Sequence, residues 1–142
     1  MSEINVFGYA RQRPNEEISE RLEEIYNFCK EKNLNLVQVY VESSMYKTPD
    51  FILNRMLADY ESRDVDVEKI ITRDISDLGR TTTDAIKRLE SLLHEQEVRI
   101  IFIERYLDVT KEEDYRQLLG LIESFHNARE NKNKIPKKKR NN

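Results

Sequence analysis

Apolar positions along this chain switch between two spacings, and the switching predicts strands alternating with helices. Ile4 to Tyr9 reads as a first strand. Ile18, Leu22, Ile25 and Cys29 then recur at helical spacing with Phe28 alongside, so Cys29 is read as core. Asn15 is the expected cap of that helix, with Glu16 and Glu17 in its positive first turn. Asn33-Leu34-Asn35 breaks the helix, and the β-branched run Leu36 to Val41 predicts the second strand. Thr48-Pro49-Asp50 reads as a helix start, with Leu53, Met56, Leu57 and Tyr60 as its apolar face. Val67 to Thr72 predicts a third strand. Thr81 with Asp84 forms a capping box for a helix carrying Ile86, Leu89 and Leu93. Val98 to Ile103 is nearly all apolar and predicts a fourth strand covered on both faces. Thr110 with Glu113 is a second capping box, opening a final helix expected to run to about Asn131.

This order implies an α/β fold: a mainly parallel open sheet of four or five strands, helices on both faces, and a long helix at the end. Residues 1–131 form one domain in this reading, and 132–142 a loose basic tail in which Pro136 ends any helical continuation. Ligand loops of such sheets lie past the carboxyl ends of the strands. Here they are Arg11 to Asn15, Glu42 to Thr48 and Arg73 to Arg80, all polar or charged. The stretch Val6 to Arg13 is central, because it opens as a buried strand and ends on two arginines suited to an anion, most plausibly phosphate.

Composition narrows the function classes. At 142 residues, 38% hydrophobic and 36% charged, the chain suits one core with a very polar surface. No apolar run approaches bilayer length, and the first residues lack a basic, apolar leader, so a cytoplasmic protein without a membrane role is expected. The single Cys29 fits a reducing compartment. His94 and His126 are isolated surface positions, and no spacing predicts a metal or a cofactor. The net charge is −3, yet Lys132, Lys134, Lys137, Lys138, Lys139 and Arg140 supply six cations and no acid follows Asn131, which leaves −9 on the first 130 residues. An acidic body is a poor general DNA surface. The tail could contact phosphate backbone weakly, although a solubilising tail is the favoured reading. The last helix carries Leu118, Leu121, Ile122 and Phe125 toward one side, broadened by Tyr115 and Leu119, a stripe wide enough to serve as a dimer contact or to be absorbed by its own domain.

Taken together, these stretches resemble the N-terminal catalytic domain of the serine recombinases, the resolvase/invertase family. Gly8-Tyr9-Ala10-Arg11 matches the family's opening Tyr-x-Arg. Leu78-Gly79-Arg80 before Thr81-Thr82-Thr83-Asp84 matches its Leu-Gly-Arg segment, and Pro49-x-Phe51 with Met56-Leu57 echoes its second helix. The resemblance spans about Ile4 to Asn131. It implies a domain that cuts DNA with a serine two residues after the first arginine, forming a phosphoserine link while arginines neutralise the phosphate.

The chain departs from that pattern at the chemistry. The serine position is Arg13, whose guanidinium is cationic and no nucleophile. The family's Leu-Asp-Arg is here Ile75-Ser76-Asp77, so an acid has become Ser76 and a phosphate-binding arginine has become Asp77. That reversal of sign is worth at least on the order of 2 kcal/mol at 4 Å even in water. The second-helix arginine falls at Lys47 or Thr48, and the family's Glu-Arg pair in the last helix appears as Arg129-Glu130. The acid after strand two is kept as Glu42. Of the family positions Tyr9, Arg11, Arg13, Glu42, Ser76, Asp77 and Arg80, no intact catalytic set remains. A helix-turn-helix segment of the family's kind is not expected, since Pro136 and the short tail leave no room for one.

The expectation is therefore a recombinase-like pseudoenzyme acting in DNA recombination or its regulation, as a homodimer or beside an active recombinase. One alternative is strand cleavage by a displaced serine, Ser76 ahead of Ser43 and Ser44. Another is a phosphate- or nucleic-acid-binding module using Arg11, Arg13 and Arg80. A further possibility is that Arg11 and Arg80 pair internally with Glu42, Asp74 or Asp77 and bind nothing.

Overall fold

In the computed structural model, described for residues 4–43, 50–62, 66–96, 98–105 and 107–140 with side chains to Arg129, five strands form one sheet. The strands are β1 (Ile4–Gln12), β2 (Leu34–Ser43), β3 (Lys69–Thr72), β4 (Ile100–Phe102) and β5 (Leu107–Asp108), in the order β2-β1-β3-β4-β5. The first four run parallel and β5 is antiparallel to β4. The helices are α1 (Ser19–Glu31), α2 (Phe51–Ser62), α3 (Thr82–His94) and α4 (Glu112–Arg140), with a short 3₁₀ turn at Ile75–Leu78. This is the mainly parallel open α/β sheet that the alternating pattern implies, with β5 as the fifth strand.

Side-chain alternation along the strands divides the core in two. Phe7 and Tyr9 of β1, Ile70 of β3, and Ile100 and Phe102 of β4 pack with the apolar faces of α2, α3 and α4. Val6, Ala10, Ile71 and Ile101 point the other way, onto Ile25, Phe28 and Cys29 of α1. Gly8 lies in β1 where α1 crosses closely: a Cβ there would stand 3.0 Å from Ile25 Cγ2. Burial pushes the Cys29 thiol up to about 11, as suits a core residue rather than a nucleophile.

Helix ends show where local chemistry held and where it did not. Thr81 caps α3, its hydroxyl accepting from the Asp84 N–H at 3.1 Å. Asn33 adopts φ 56 just past α1, as a chain reversal after a helix requires. Asn15 does not cap α1; it sits at φ 61 in a turn, and the helix begins at Ser19 after an Ile18 that makes no side-chain cap bond. β1 causes the shift, since it extends through Gln12 and a turn must intervene before the helix can start. Thr110 is likewise not the residue that opens α4: Lys111 precedes the helix, its carbonyl accepting from the Tyr115 N–H at 2.9 Å, while the Thr110 hydroxyl and N–H donate to Asp108 Oδ1 at 2.6 and 2.9 Å. The expected Thr48–Pro49 helix start lies outside the described residues. The backbone of α4 continues to Arg140, through Pro136, rather than ending near Asn131. Lysines and arginines are good helix formers and are favoured near a helix C-terminus, which supports that continuation.

The wide stripe on α4 is mostly absorbed within the domain. Leu118 is 0% and Ile122 6% exposed, both in the larger core. Of the four expected contact residues, only Leu121, at 37% exposure, and the partly buried Phe125 still face outward.

Candidate functional site

β1 and β2 pair in register to their carboxyl ends, setting Arg11 opposite Glu42. Tyr9, Arg11 and Glu42 thereby meet beneath the sheet's charged edge, each almost wholly buried. Among the described residues, Glu42 accepts from the Tyr9 hydroxyl at 3.3 Å, the Ile52 N–H at 3.1 Å and the Leu53 N–H at 2.8 Å. It thus caps α2 from a neighbouring strand, and its charge sits at the positive end of that helix.

Arg11 donates to the Asp77 carbonyl at 3.0 Å and the Tyr9 hydroxyl at 3.2 Å, and forms an ion pair with Asp50. Burial works against its charge, but Tyr9, Asp50 and Glu42 outweigh that, and its pKa is raised. Burial is also the main cause of the large upward shift at Tyr9, which stays a neutral phenol. Asp50 also binds Arg88 of α3 at 3.3 Å. The internal pairing anticipated for Arg11 therefore exists, but with Asp50 rather than with the carboxylates of Glu42, Asp74 or Asp77.

Asp77 is fully buried in the 3₁₀ turn, and Arg21 of α1 pairs with it. Arg21 also reaches the Arg11 carbonyl at 2.9 Å and Glu16 at 3.3 Å. Burial raises the Asp77 pKa against the pull of Arg21 and Arg13, and its Oδ2 has no hydrogen-bond partner. Asp74 instead pairs with Arg105 at 2.9 Å; burial opposes its ionisation, yet that bond and the turn's N–H groups lower its pKa.

Arg13 stands farther out. Its guanidinium donates to the carbonyls of Ser76 at 2.5 Å and Arg80 at 3.2 Å, tying the end of β1 to the turn before α3. Gly79 lets that turn lie tightly on α3, since a Cβ there would stand 2.4 Å from the Ala85 nitrogen. A groove of about 660 Å³ opens beside it, lined by Arg13, Ser76, Arg80, Arg105, Leu121 and Phe125 among others. The expected site residues thus fall into two groups: Tyr9, Arg11, Glu42 and Asp77 sealed inside, and Arg13, Ser76 and Arg80 at the rim.

A family model for the resolvase N-terminal domain matches residues 6–141. The chain belongs to the resolvase N-terminal domain family. Among solved structures, it is similar to a resolvase family site-specific recombinase from Streptococcus pneumoniae, with 16% identity, TM-score 0.72, and 96% of this chain and 95% of that one covered. It is also similar to the N-terminal catalytic domain of TP901-1 integrase, with 12% identity, TM-score 0.70, and coverage of 89% and 97%. The C-terminal catalytic domain of ISC1926 TnpA, an IS607-like serine recombinase, aligns at 14% identity and TM-score 0.53 over 87% and 99%. No curated protein matches the chain at a significant level.

Against the resolvase pattern, three contributors were missed in the sequence: Arg21, Asp50 and Arg88. Arg21 and Arg88 look like ordinary polar-face residues of α1 and α3, and Asp50 reads as part of a helix start. The only available signal was Asp77, a buried acid in place of a cation, which has to find a counter-charge. Among the described residues, no group of three His, Cys, Asp or Glu side chains gathers as a metal site, and no helix is long and apolar enough to cross a membrane.

Proposed function

We propose that this chain is a resolvase-family domain that does not cut DNA and serves recombination or its regulation by binding, as a cytoplasmic homodimer or beside an active recombinase. The observation that carries this reading is Arg13. It occupies the family's serine position, and its guanidinium is bonded to the carbonyls of Ser76 and Arg80. A phosphodiester entering there would meet no nucleophile at that position. The deeper arginines are already neutralised by Asp50 and Asp77. Phosphoryl transfer needs an in-line nucleophile and cations pre-organised on the phosphate, and this edge offers neither in the family's arrangement.

The test is incubation with supercoiled plasmid, a detergent quench, and a search for protein covalently joined to DNA, with an active serine recombinase as positive control. The expected result is no adduct. An adduct would overturn the reading and favour the displaced-serine alternative. Ser76 would be examined first, because it lines the groove with Arg13 and Arg80. Pairing through α4 has its own readout: Phe125→Glu or Leu121→Glu should leave a folded monomer by sedimentation. Truncation after Asn131 should remove low-salt DNA binding if the basic tail supplies it, whereas retained affinity would point to the Arg13 edge.

A further inference from the structure

Asp50 immediately precedes α2 and has φ 58, a conformation few non-glycine residues adopt. Its carbonyl accepts the Asn54 N–H at 2.9 Å and so begins the helix. An aspartate in this place ordinarily turns its carboxylate onto the N–H groups of its own helix. Here Glu42 holds the Ile52 and Leu53 N–H groups instead. The Asp50 carboxylate is released to face the other way, one oxygen on Arg11 and the other on Arg88. Two guanidinium groups from different elements, one of them nearly fully buried, thus converge on two oxygens of a single anion. That is the geometry with which arginines grip a phosphate or sulfate.

We propose that Arg11 and Arg88 form an oxyanion seat whose resident occupant is the Asp50 carboxylate, and that a phosphate-type oxyanion takes the seat when Asp50 is removed or displaced. Asp50 is an internal competitor: tethered beside the seat, it acts at an effective concentration on the order of millimolar or above. An external anion sees its affinity reduced by the fraction of molecules in which the seat is closed. This goes beyond the loss of cleavage, because it concerns Asp50 and Arg88 and does not depend on what occupies position 13.

The test uses Asp50→Gly in the full chain. Glycine accepts φ 58 without strain and keeps the backbone carbonyl that starts α2. Binding of inorganic phosphate is measured by calorimetry and thermal shift, with sodium chloride at matched ionic strength as the control. Asp50→Gly is expected to bind phosphate roughly tenfold or more tighter than the wild type. Adding Arg88→Ala should abolish that gain. Asp50→Asn, neutral and nearly isosteric, provides a second variant with the same direction of change. Equal phosphate affinity in the wild type and both Asp50 variants would overturn the proposal. So would a gain that survives Arg88→Ala, since it would place the anion on the outer arginines.

Discussion

Asp108 and Asp77 are both buried aspartates beside the same sheet, at 8% and 0% exposure, yet their surroundings shift them in opposite directions. Asp108 closes β5. Burial disfavours its charge, but the Thr110 hydroxyl and N–H and the Lys69 ammonium outweigh that and lower its pKa. Asp77 has Arg21 as its ion-pair partner and an Oδ2 with no hydrogen bond, so burial wins and its pKa rises. The difference is one of donors rather than depth. Short fixed donors on a neighbouring turn stabilise a carboxylate more dependably than a long cation brought from another helix. One acid completes a structural turn; the other lies buried beneath the charged edge of the sheet.

The largest effect that would expose this contrast is expected from Arg21→Ala. It leaves buried Asp77 without its salt-bridge partner, and should cost about 3–5 kcal/mol in a urea denaturation at neutral pH. Acidification should restore much of that loss, because a protonated Asp77 no longer needs Arg21. The Asp77 pKa lies above the ordinary carboxylate value, so recovery should begin above about pH 4 as pH is lowered. A gap between the two proteins that stays constant from pH 7 to pH 3 would mean that Arg21 contributes by packing and not by charge.

Asp108→Ala should cost less, about 2–3 kcal/mol, by stripping Thr110 and Lys69 of their acceptor. Its pH dependence supplies the sharper comparison. The folded pKa of Asp108 is depressed, so its stabilisation is fully present above the ordinary carboxylate pKa and is lost as pH falls through the lower folded value. The difference between wild type and Asp108→Ala should therefore persist to more acidic pH than that of Arg21→Ala. Coincident pH profiles would remove the distinction drawn between the two sites.

The apolar body of this domain was open to reading from sequence because periodicity is a property of neighbouring residues. Phe7 and Tyr9 against Val6 and Ala10 already declare the two faces of β1, and Thr81 with Asp84 declares its helix start. Boundaries were less legible where a long-range partner decided them. Asn15 was displaced as a cap by the extra length of β1, and Thr110 was claimed by Asp108. At the charged edge, the motif positions Tyr9, Arg11, Glu42 and Arg80 could be found, yet which acid meets which arginine could not. Arg11 lies 39 residues from Asp50, and Arg21 lies 56 from Asp77. Only the folded topology, which brings the start of α2 to the end of β1 and α1 to the 3₁₀ turn, creates those pairs. The α4 stripe left two outcomes open for the same reason: spacing shows which residues share a face, while burial of Leu118 and Ile122 depends on what packs there.

The smallest effect belongs to an ion pair with neither burial nor a turn to support it. Arg116 and Glu112 on α4 meet at 2.7 Å with side chains 75% and 81% exposed. Water already solvates both charges, and holding two long side chains in one geometry costs entropy that offsets most of the attraction. Arg116→Ala should therefore change stability by about 0.5 kcal/mol or less, with the change fading further in high salt. This pair shares its short distance with the contacts of Asp77 and Asp108, so it separates distance from environment. A loss comparable to that of Asp108→Ala would show that proximity alone sets the worth of these contacts, and the contrast between the two buried aspartates would lose its basis in donors and burial.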